Sequence, residues 1–361
     1  MATSETDWSG LEACLNLDWA IVGGLFAGAL AGAAARYGRM CTMSAIEDAL
    51  IGRDYRGAKA WGLALAISIA ATQMLATIGW VDLGRNPYAS PQVHVFGALL
   101  GGAIFGLGMS LAGTCSFGLL VRAGGGDLRA LIAALIVGVF AFALTAGALA
   151  PLRAPLLAVG TIDLDTYGGA SLRGMFRHQF GETASRLMVA GICAALVATA
   201  FGDRRLRKRP RLLIGAGLIG LAVTFGWVVT SRAVDALLLD RPESLSFVAP
   251  VGRLLLQFMI EPLRNVGFGV AAACGALVAS FFVAWLRGDV RWEAFDDAHE
   301  MRRHLFGAAL MGIGGVLAQG CTIGQGLSAA STLAVSAPVF MIGVLFGAKL
   351  GLHHLLEGTS L

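Results

Sequence analysis

Charged residues are scarce in this sequence, and their scarcity argues against a soluble globular protein. Only 14% of the 361 residues are Asp, Glu, Lys or Arg, whereas 57% are hydrophobic. Soluble domains carry roughly 25% charged residues. The charges also cluster in short stretches and leave long apolar runs between them. Because a bilayer core about 30 Å thick needs about 20 apolar residues per helix, the sequence predicts an all-α integral membrane protein.

Features of several other protein classes are also missing. The acidic N-terminus lacks the basic region of a secretory signal peptide, so we expect no cleavage. No Cys-x-x-Cys pair occurs, which weakens an oxidoreductase assignment, and six cysteines in a chain of this length do not suggest a disulfide framework. No histidine-rich or acidic cluster falls within an apolar run, which weakens a metal-pump assignment. We expect no enzymatic activity, no cofactor and no bound metal, and basic loops explain the net charge of +4 without nucleic acid.

The long apolar runs predict about nine membrane-spanning helices within one transport domain over 19–355, preceded by an N-terminal tail over 1–18. Three further apolar segments, 38–50, 113–122 and 244–260, are too short or too interrupted to cross the bilayer, and short re-entrant helices are expected there. The predicted spans are 19–37, 60–79, 93–112, 129–150, 185–202, 211–230, 265–286, 304–320 and 332–352.

The loops predict the orientation of the chain, because cytoplasmic loops carry an excess of Lys and Arg. The strongest signal is the segment 203–211, which holds six basic residues and one acidic residue. The loop 51–59 is also basic, and 287–304 holds four arginines that acidic residues balance, whereas 80–92 and 151–184 have no such cluster. With nine spans, these loops place the N-terminus outside and the C-terminus in the cytoplasm. The predicted location is the bacterial inner membrane.

Glycine is unusually frequent, with 50 residues in the chain, about twice the usual share of roughly 7%. Membrane helices associate mainly by close packing, and small residues four positions apart allow their backbones to approach. Such pairs predict a tightly packed helix bundle and carry little information about function. They include Gly28 with Gly32, Gly97 with Gly101, and Gly102 with Gly106.

Two segments around cysteines repeat each other. The sequences 106–118 and 312–324 share the frame Leu-Ala-x-x-Cys-x-x-Gly around Cys115 and Cys321. On the predicted topology the first copy ends an inward span and the second an outward span. We therefore expect two inverted halves, about 19–150 and 211–355, linked by the span 185–202. Inverted repeats with broken helices are typical of transporters whose substrate sites lie near the bilayer midplane.

The glycines beside these cysteines predict that each helix unwinds there, which frees backbone N–H groups to face an anion. The candidate site residues are Gly113, Thr114, Cys115 and Ser116 in the first break, and Gly320, Cys321 and Thr322 in the second. Cys41 lies beside Arg36 and Arg39 at the inner end of the first span and is a third candidate. The isolated Cys14, Cys193 and Cys274 are expected to be small hydrophobic residues.

A thiol in such a place permits three kinds of chemistry. It can ligate a soft metal, exchange disulfides, or donate a weak S–H hydrogen bond to a sulfur-containing anion. The residue pattern alone leaves these alternatives open. They correspond to a transporter of a soft metal or of selenium species, a membrane thiol–disulfide oxidoreductase, and a transporter of sulfur anions.

The two segments around Cys115 and Cys321 resemble the glycine–cysteine signatures of the YeeE/YedE sulfur-transport family, and Arg39-Met-Cys41-Thr resembles that family's first cysteine motif. The resemblance covers roughly 20–352. It implies uptake of a small sulfur anion, with thiosulfate the best-known substrate, relayed along Cys41, Cys115 and Cys321 by S–H hydrogen bonds without covalent chemistry. By analogy with the family, a small cytoplasmic sulfur-carrier protein is an expected partner.

Two segments keep open roles. The stretch 151–184 does not belong to the family signatures, and a vestibule at the entrance is one interpretation. The stretch 244–260 and the residues after it contain Arg253, Glu261 and Arg264, which are either intramembrane charges with a function or part of an amphipathic helix at the outer surface.

Overall fold

The computed structural model describes residues 8–236, 239–259 and 266–357 of the chain. Most of this part is helical, with only two short strands, which confirms the predicted all-α membrane fold. The helices are α1 (Trp8–Gly38), α2 (Thr42–Leu50), α3 (Arg56–Thr77), α4 (Val95–Ala112), α5 (Ser116–Ala123), α6 (Leu128–Thr145), α7 (Ala150–Ala158), α8 (Leu172–Gly202), α9 (Arg204–Arg207), α10 (Pro210–Asp235), α11 (Ala249–Met259), α12 (Phe268–Leu286), α13 (Ala298–Leu317) and α14 (Ser336–Leu356).

Eight helical stretches in the described residues are long and apolar enough to cross a bilayer, and they match eight of the nine predicted spans. The predicted span 304–320 falls on α13, whose first turns are charged. This helix nevertheless runs antiparallel along α4, because Gly101 meets Gly314 and Gly108 meets Gly307 at their backbones. α13 therefore lies beside the spanning helix α4. It connects α12 to α14 and carries the chain back in the direction opposite to that of α4.

The three short segments predicted from the sequence each contain a short helix, namely α2, α5 and α11. The residues before α11 are not helical and lie in the core, where Leu245, Phe247 and Val248 are buried. Of the charges near α11, Arg253 is exposed, while Glu261 and Arg264 lie outside the described residues. The span predicted over 185–202 is the second part of the longer helix α8. A break at Gly181 (φ 83°, ψ 172°) interrupts this helix in a conformation that is essentially restricted to glycine.

Small residues bring pairs of helices into backbone contact, as the glycine pattern predicts. A Cβ atom added at Gly28 would lie 1.9 Å from the carbonyl oxygen of Ala272, and one added at Gly32 would lie 2.3 Å from that of Ala276. These contacts hold α1 parallel to α12. Gly102 and Gly106 pack in the same way against Phe340 and Val344, so that α4 and α14 are also parallel and closely packed.

The segment 151–184 forms a structured strap on one face of the bundle. It contains α7 and the strand β2 (Thr161–Asp163), which pairs antiparallel with β1 (Gln92–His94). Where α8 begins, the Leu172 amide donates to the carbonyl oxygen of Leu333 (2.8 Å), and the Val335 amide donates to that of Ala170 (3.0 Å). The strap is thereby attached to the loop that precedes α14.

Side chains extend this attachment into the bundle. Arg173 donates to the amide oxygen of Gln73 (2.7 Å), and the buried Gln73 donates to the carbonyl oxygen of Ser331 (3.0 Å). Trp227 on α10 donates to the Ser331 hydroxyl (3.0 Å). The strap, α3 and α10 thus meet at Ser331, ten residues after Cys321.

Candidate functional site

The three candidate cysteines share one backbone arrangement. The residue two positions before each of them has a left-handed φ, which is 52° at Arg39, 69° at Gly113 and 57° at Gln319. A left-handed residue stops a right-handed helix, and it costs about 1–2 kcal/mol when the residue is not glycine. The helix that precedes each cysteine therefore ends just before it, and we call this point a break. A short helical element comes next in each case, namely α2, α5 and the π-helical turn Gly324–Ala329.

The thiols of Cys115 and Cys321 occupy matching environments. Cys115 caps α5, where the Gly118 amide donates to its sulfur at 3.4 Å. The Gly324 amide donates to the sulfur of Cys321, also at 3.4 Å. Both cysteines are buried, with 1% and 0% of their surface exposed. Each sulfur accepts a backbone hydrogen bond and still carries an S–H group that can act as a weak donor.

Hydroxyl groups connect the first two breaks. The Cys41 sulfur lies 3.5 Å from the Thr114 hydroxyl oxygen, and the Cys115 thiol donates to the Thr42 hydroxyl at 3.9 Å. Each thiol therefore pairs with the threonine hydroxyl of the other segment. The Cys115 side chain also hydrogen-bonds Thr322, and Cys41 and Cys321 lie near it. The structure thus brings the three predicted cysteines and two predicted threonines together around Cys115.

One further hydroxyl group at the breaks is buried without a partner. The hydroxyl oxygen of Ser116 has no hydrogen-bond partner among the described residues, whereas buried polar groups are usually satisfied. The glycine amides are already used, because Gly113 donates to Ser110 (3.4 Å) and Gly320 donates to Gly315 (2.8 Å). The donors that remain at the breaks therefore include thiols and hydroxyls, and these two glycine amides do not add to them.

Two cavities adjoin each other, one of them lined by residues of the basic segment 203–211, and we call them together the basic mouth. Their volumes are about 480 and 540 Å³, and they share a wall formed by Arg39, Met40 and Cys41. Ten basic and five acidic side chains line them. The basic ones are Arg36, Arg39, Arg56, Arg122, Arg129, Lys208, Arg209, Arg211, Arg287 and Arg291, and the acidic ones are Asp48, Asp54, Asp127, Asp289 and Glu293.

Several of these charges are already paired. Arg129 contacts Asp127 (3.2 Å), Glu293 and Glu300 (3.1 Å). Arg56 pairs with Asp54, and these hydrogen bonds lower the pKa of Asp54 to about 2. Arg122 donates to the carbonyl oxygen of Gly113 at 3.2 Å. Arg122 and Arg129 therefore hold the local structure, and Arg122 does so at the first cysteine break itself.

A smaller cavity of about 180 Å³ lies at the other ends of the helices, and we call it the opposite mouth. It is lined by Tyr88, His94, Arg241, Gln319 and Gln325, among others. His94 immediately precedes α4, whereas Thr114, two residues after α4 ends, lines the basic mouth. The buried Cys115 and Cys321 lie in the closed region between the two mouths.

Two residues of this arrangement were not among the candidates. Thr42 pairs with Cys115 across 73 positions of sequence, and Tyr88, in the loop before β1, lies near Cys321. A signal existed for Thr42, because a threonine also follows Cys321 directly. No comparable signal exists for Tyr88, since its loop has no counterpart in the two cysteine segments.

The remaining described cysteines lie elsewhere. The Cys193 thiol on α8 donates to the carbonyl oxygen of Ala66 (3.7 Å), and Cys274 lies within α12. All five cysteines from Cys41 to Cys321 are free thiols. Within the described ranges, no group of three or more His, Cys, Asp or Glu residues is arranged to hold a metal ion.

The fold is that of a multi-pass membrane protein with cysteines at breaks in its helices. Comparison with known families shows which family the chain belongs to. Residues 37–350 match the family described as Sulphur transport, and the chain belongs to that family. It is 27% identical over 330 residues to Thiosulfate transporter TsuA of Escherichia coli (strain K12), covering 85% of this chain and 86% of that protein. It is also 27% identical over 356 residues to Thiosulfate transporter TsuA of Spirochaeta thermophila, covering 88% and 95%. A shorter similarity, 31% over 99 residues, covers 15% of a probable potassium transport system protein Kup of Brucella anthropi.

Proposed function

We propose that this protein takes up thiosulfate, or a closely related small sulfur-containing anion, across the membrane. The observation that carries the proposal is the cluster of thiols and hydroxyls around Cys115, which lies between two mouths in a chain of the Sulphur transport family. Two relatives of nearly full length are named thiosulfate transporters. The anion enters at the opposite mouth, passes Cys321, Cys115 and Cys41 in turn, and leaves at the basic mouth.

The donors along this line suit an ion that must bind and leave again. An S–H group is a weak hydrogen-bond donor, and conduction requires sites that bind well enough to admit the ion and weakly enough to release it. The partnerless hydroxyl of Ser116 and the Thr322 hydroxyl beside Cys115 can replace water molecules that the ion loses. Thr114 and Thr42 exchange their contacts with Cys41 and Cys115 for contacts with the ion. No covalent bond forms in this mechanism.

The inverted-repeat organisation belongs to the same proposal. We infer two halves, about 19–150 and 211–355, with the span 185–202 between them and a tail over 1–18 outside the transport domain. The matched breaks at Cys115 and Cys321 and the antiparallel packing of α4 against α13 support it. Equivalent contacts also join the two halves. α1 of the first half packs on α12 of the second, and α10 of the second half packs on α3 of the first.

The basic mouth is proposed to face the cytoplasm, because basic residues accumulate on that side of a membrane. The segment 203–211, with its six basic residues, contributes three of them to this mouth. The bacterial inner membrane is then the location, with the N-terminus outside and the C-terminus in the cytoplasm. A small cytoplasmic sulfur-carrier protein is a proposed partner at this mouth, which co-purification with the full-length transporter would test.

Two other functions use the same thiols and give different results in experiments. A thiol–disulfide oxidoreductase would show a redox-dependent gel shift after thiol trapping, and it would form mixed disulfides with a partner. A transporter of a soft metal or of selenium species would retain that metal or carry selenite in an uptake assay. The crossed pairing of Cys41 and Cys115 with threonine hydroxyls favours hydrogen bonding to an anion over either alternative.

The direct test is growth and uptake in a bacterial strain that lacks its own sulfate and thiosulfate uptake systems. Expression of this protein is expected to restore growth on thiosulfate as the only sulfur source and to give saturable uptake of radiolabelled thiosulfate. Equal expression without growth and without uptake would contradict the proposal.

A further inference from the structure

The wall between the two cavities of the basic mouth contains an arginine, Arg39, whose guanidinium group makes no ion pair with the described residues. Arg39 lines both cavities together with Cys41, two residues later. Its backbone has a φ of 52°, an unfavourable value for a residue with a Cβ atom. Among the described residues, Arg39 makes no ion pair, and its guanidinium donates no hydrogen bond. Strain of this kind at a cavity is a reason to look for a function.

The neighbouring guanidinium groups are fixed in place instead. Arg36 donates to the carbonyl oxygen of Asp289 (3.1 Å), and its guanidinium lies flat against Gly125, where an added Cβ atom would be 2.7 Å from two of its nitrogens. Arg287 lies over the ring of Tyr37. The Arg36 guanidinium is attracted by Asp289, and it is repelled by both Arg39 and Arg287. Like charges held this close are stabilised by an anion between or beside them.

We propose that Arg39, supported by Arg36, forms an oxyanion-binding site at the basic mouth, which we call the exit site. The exit site receives the transported sulfur anion, a dianion in the case of thiosulfate, from Cys41 and holds it before release. This inference rests on the proposed direction of transport, and it adds a second kind of recognition to the thiol line. The guanidinium group presents a planar fork of N–H donors that matches the oxygens of a tetrahedral oxyanion.

The chemistry of the exit site defines its ligand class. Guanidinium groups bind oxygen atoms, whereas the terminal sulfur of thiosulfate is recognised by thiols further inside. The exit site therefore accepts tetrahedral divalent oxyanions in general, and sulfate binds there as thiosulfate does. Discrimination between these ions belongs to the cysteines, and the basic mouth supplies the electrostatic attraction that draws a dianion out of the uncharged constriction.

Chemical modification of Cys41 tests the exit site without measuring transport. The full-length protein in detergent is treated with an anionic and, separately, a cationic methanethiosulfonate reagent, and the rate is followed by mass spectrometry of the peptide that contains residue 41. The anionic reagent is expected to react about tenfold faster, because a basic cavity concentrates anions. The variant Arg39→Asn is expected to lose most of this preference. Asparagine tolerates the left-handed backbone, so the fold is retained.

The matched control is Arg209→Asn, which removes one charge from the same mouth away from the shared wall and should keep most of the preference. An unchanged preference in Arg39→Asn, or an equal loss in both variants, would overturn the exit site.

A second measurement uses the unaltered protein. Sodium sulfate, at constant ionic strength adjusted with sodium chloride, is expected to slow alkylation of Cys41 by neutral iodoacetamide. If sulfate gives no protection, the exit site is wrong even where thiosulfate uptake is intact. If sulfate protects Cys41 but the protein carries no thiosulfate, the exit site stands and the proposed function fails.

Discussion

The hydroxyl oxygen of Thr114 lies 3.5 Å from the sulfur of Cys41, although 73 positions separate the two residues in sequence. Together with the contact between Cys115 and Thr42 (3.9 Å), this pairing joins the break after α1 to the break after α4. Neither break can therefore open or admit an ion without changing the environment of the other. The proposed relay depends on this coupling, because an ion leaving Cys115 meets Cys41 and Thr114 next.

Replacing Thr114 by valine tests the hydroxyl in this contact, because valine keeps the shape and removes the donor. A hydrogen bond contributes about 1 kcal/mol net, so the initial rate of thiosulfate uptake should fall about five- to tenfold. Thr199→Val is the matched control, since Thr199 is an exposed α8 residue that donates to Leu196. Equal uptake rates in the two variants, at equal protein levels, would show that the Thr114 hydroxyl plays no part.

Replacing Gly28 by alanine tests the packing of α1 against α12. The new Cβ atom would lie 1.9 Å from the carbonyl oxygen of Ala272, so the helices must separate, at a cost of about 1–3 kcal/mol. We expect a lower melting temperature in detergent. Gly191→Ala on α8 is the control, since nothing lies within 4 Å of its added Cβ, and it should match or slightly exceed the wild-type stability. If both variants melt at the same temperature, this packing does not limit stability.

Replacing Gln73 by leucine tests the attachment of the strap over 151–184. The change leaves the Ser331 carbonyl without its side-chain donor and removes the acceptor of Arg173. Loss of a buried hydrogen-bonding group costs about 1–3 kcal/mol, so the melting temperature should fall, and proteolysis of the 151–184 segment should become faster.

The control for the strap is Arg186→Ala. Arg186 pairs with Glu182, as Arg173 does, but its side chain is 65% exposed. An exposed ion pair contributes little, so this variant should behave like the wild type. Faster proteolysis in Arg186→Ala than in Gln73→Leu would contradict the assigned role of Gln73.

Much of the fold could be predicted because short, local patterns in the sequence determine it. Apolar runs predicted the spans, and glycines spaced by four predicted the close contact between helices at Gly28 and Gly106. The break at Cys115 was visible because the same frame recurs at Cys321. The span over 304–320 was harder, because α13 begins with charged turns and only its packing along α4 shows where it lies.

The rest depends on contacts between distant segments, which spacing alone does not reveal. Tyr88 reaches Cys321 from a loop without a motif, and the strap reaches Ser331 through Gln73. The left-handed backbone at Arg39 and Gln319 was also hidden, because neither residue is a glycine and the surrounding structure imposes the conformation. The common pattern of a left-handed residue two positions before each cysteine therefore appears only in three dimensions.

The most direct test of the account is thiosulfate uptake by Cys115→Ala beside Cys193→Ala, at matched protein levels in the membrane. Cys115 lies near both Cys41 and Cys321, whereas Cys193 lies apart on α8. The account predicts that Cys115→Ala loses most of its uptake while Cys193→Ala carries thiosulfate like the wild type. Undiminished uptake by a folded Cys115→Ala protein would contradict the central claim that the anion is passed along the cysteine thiols.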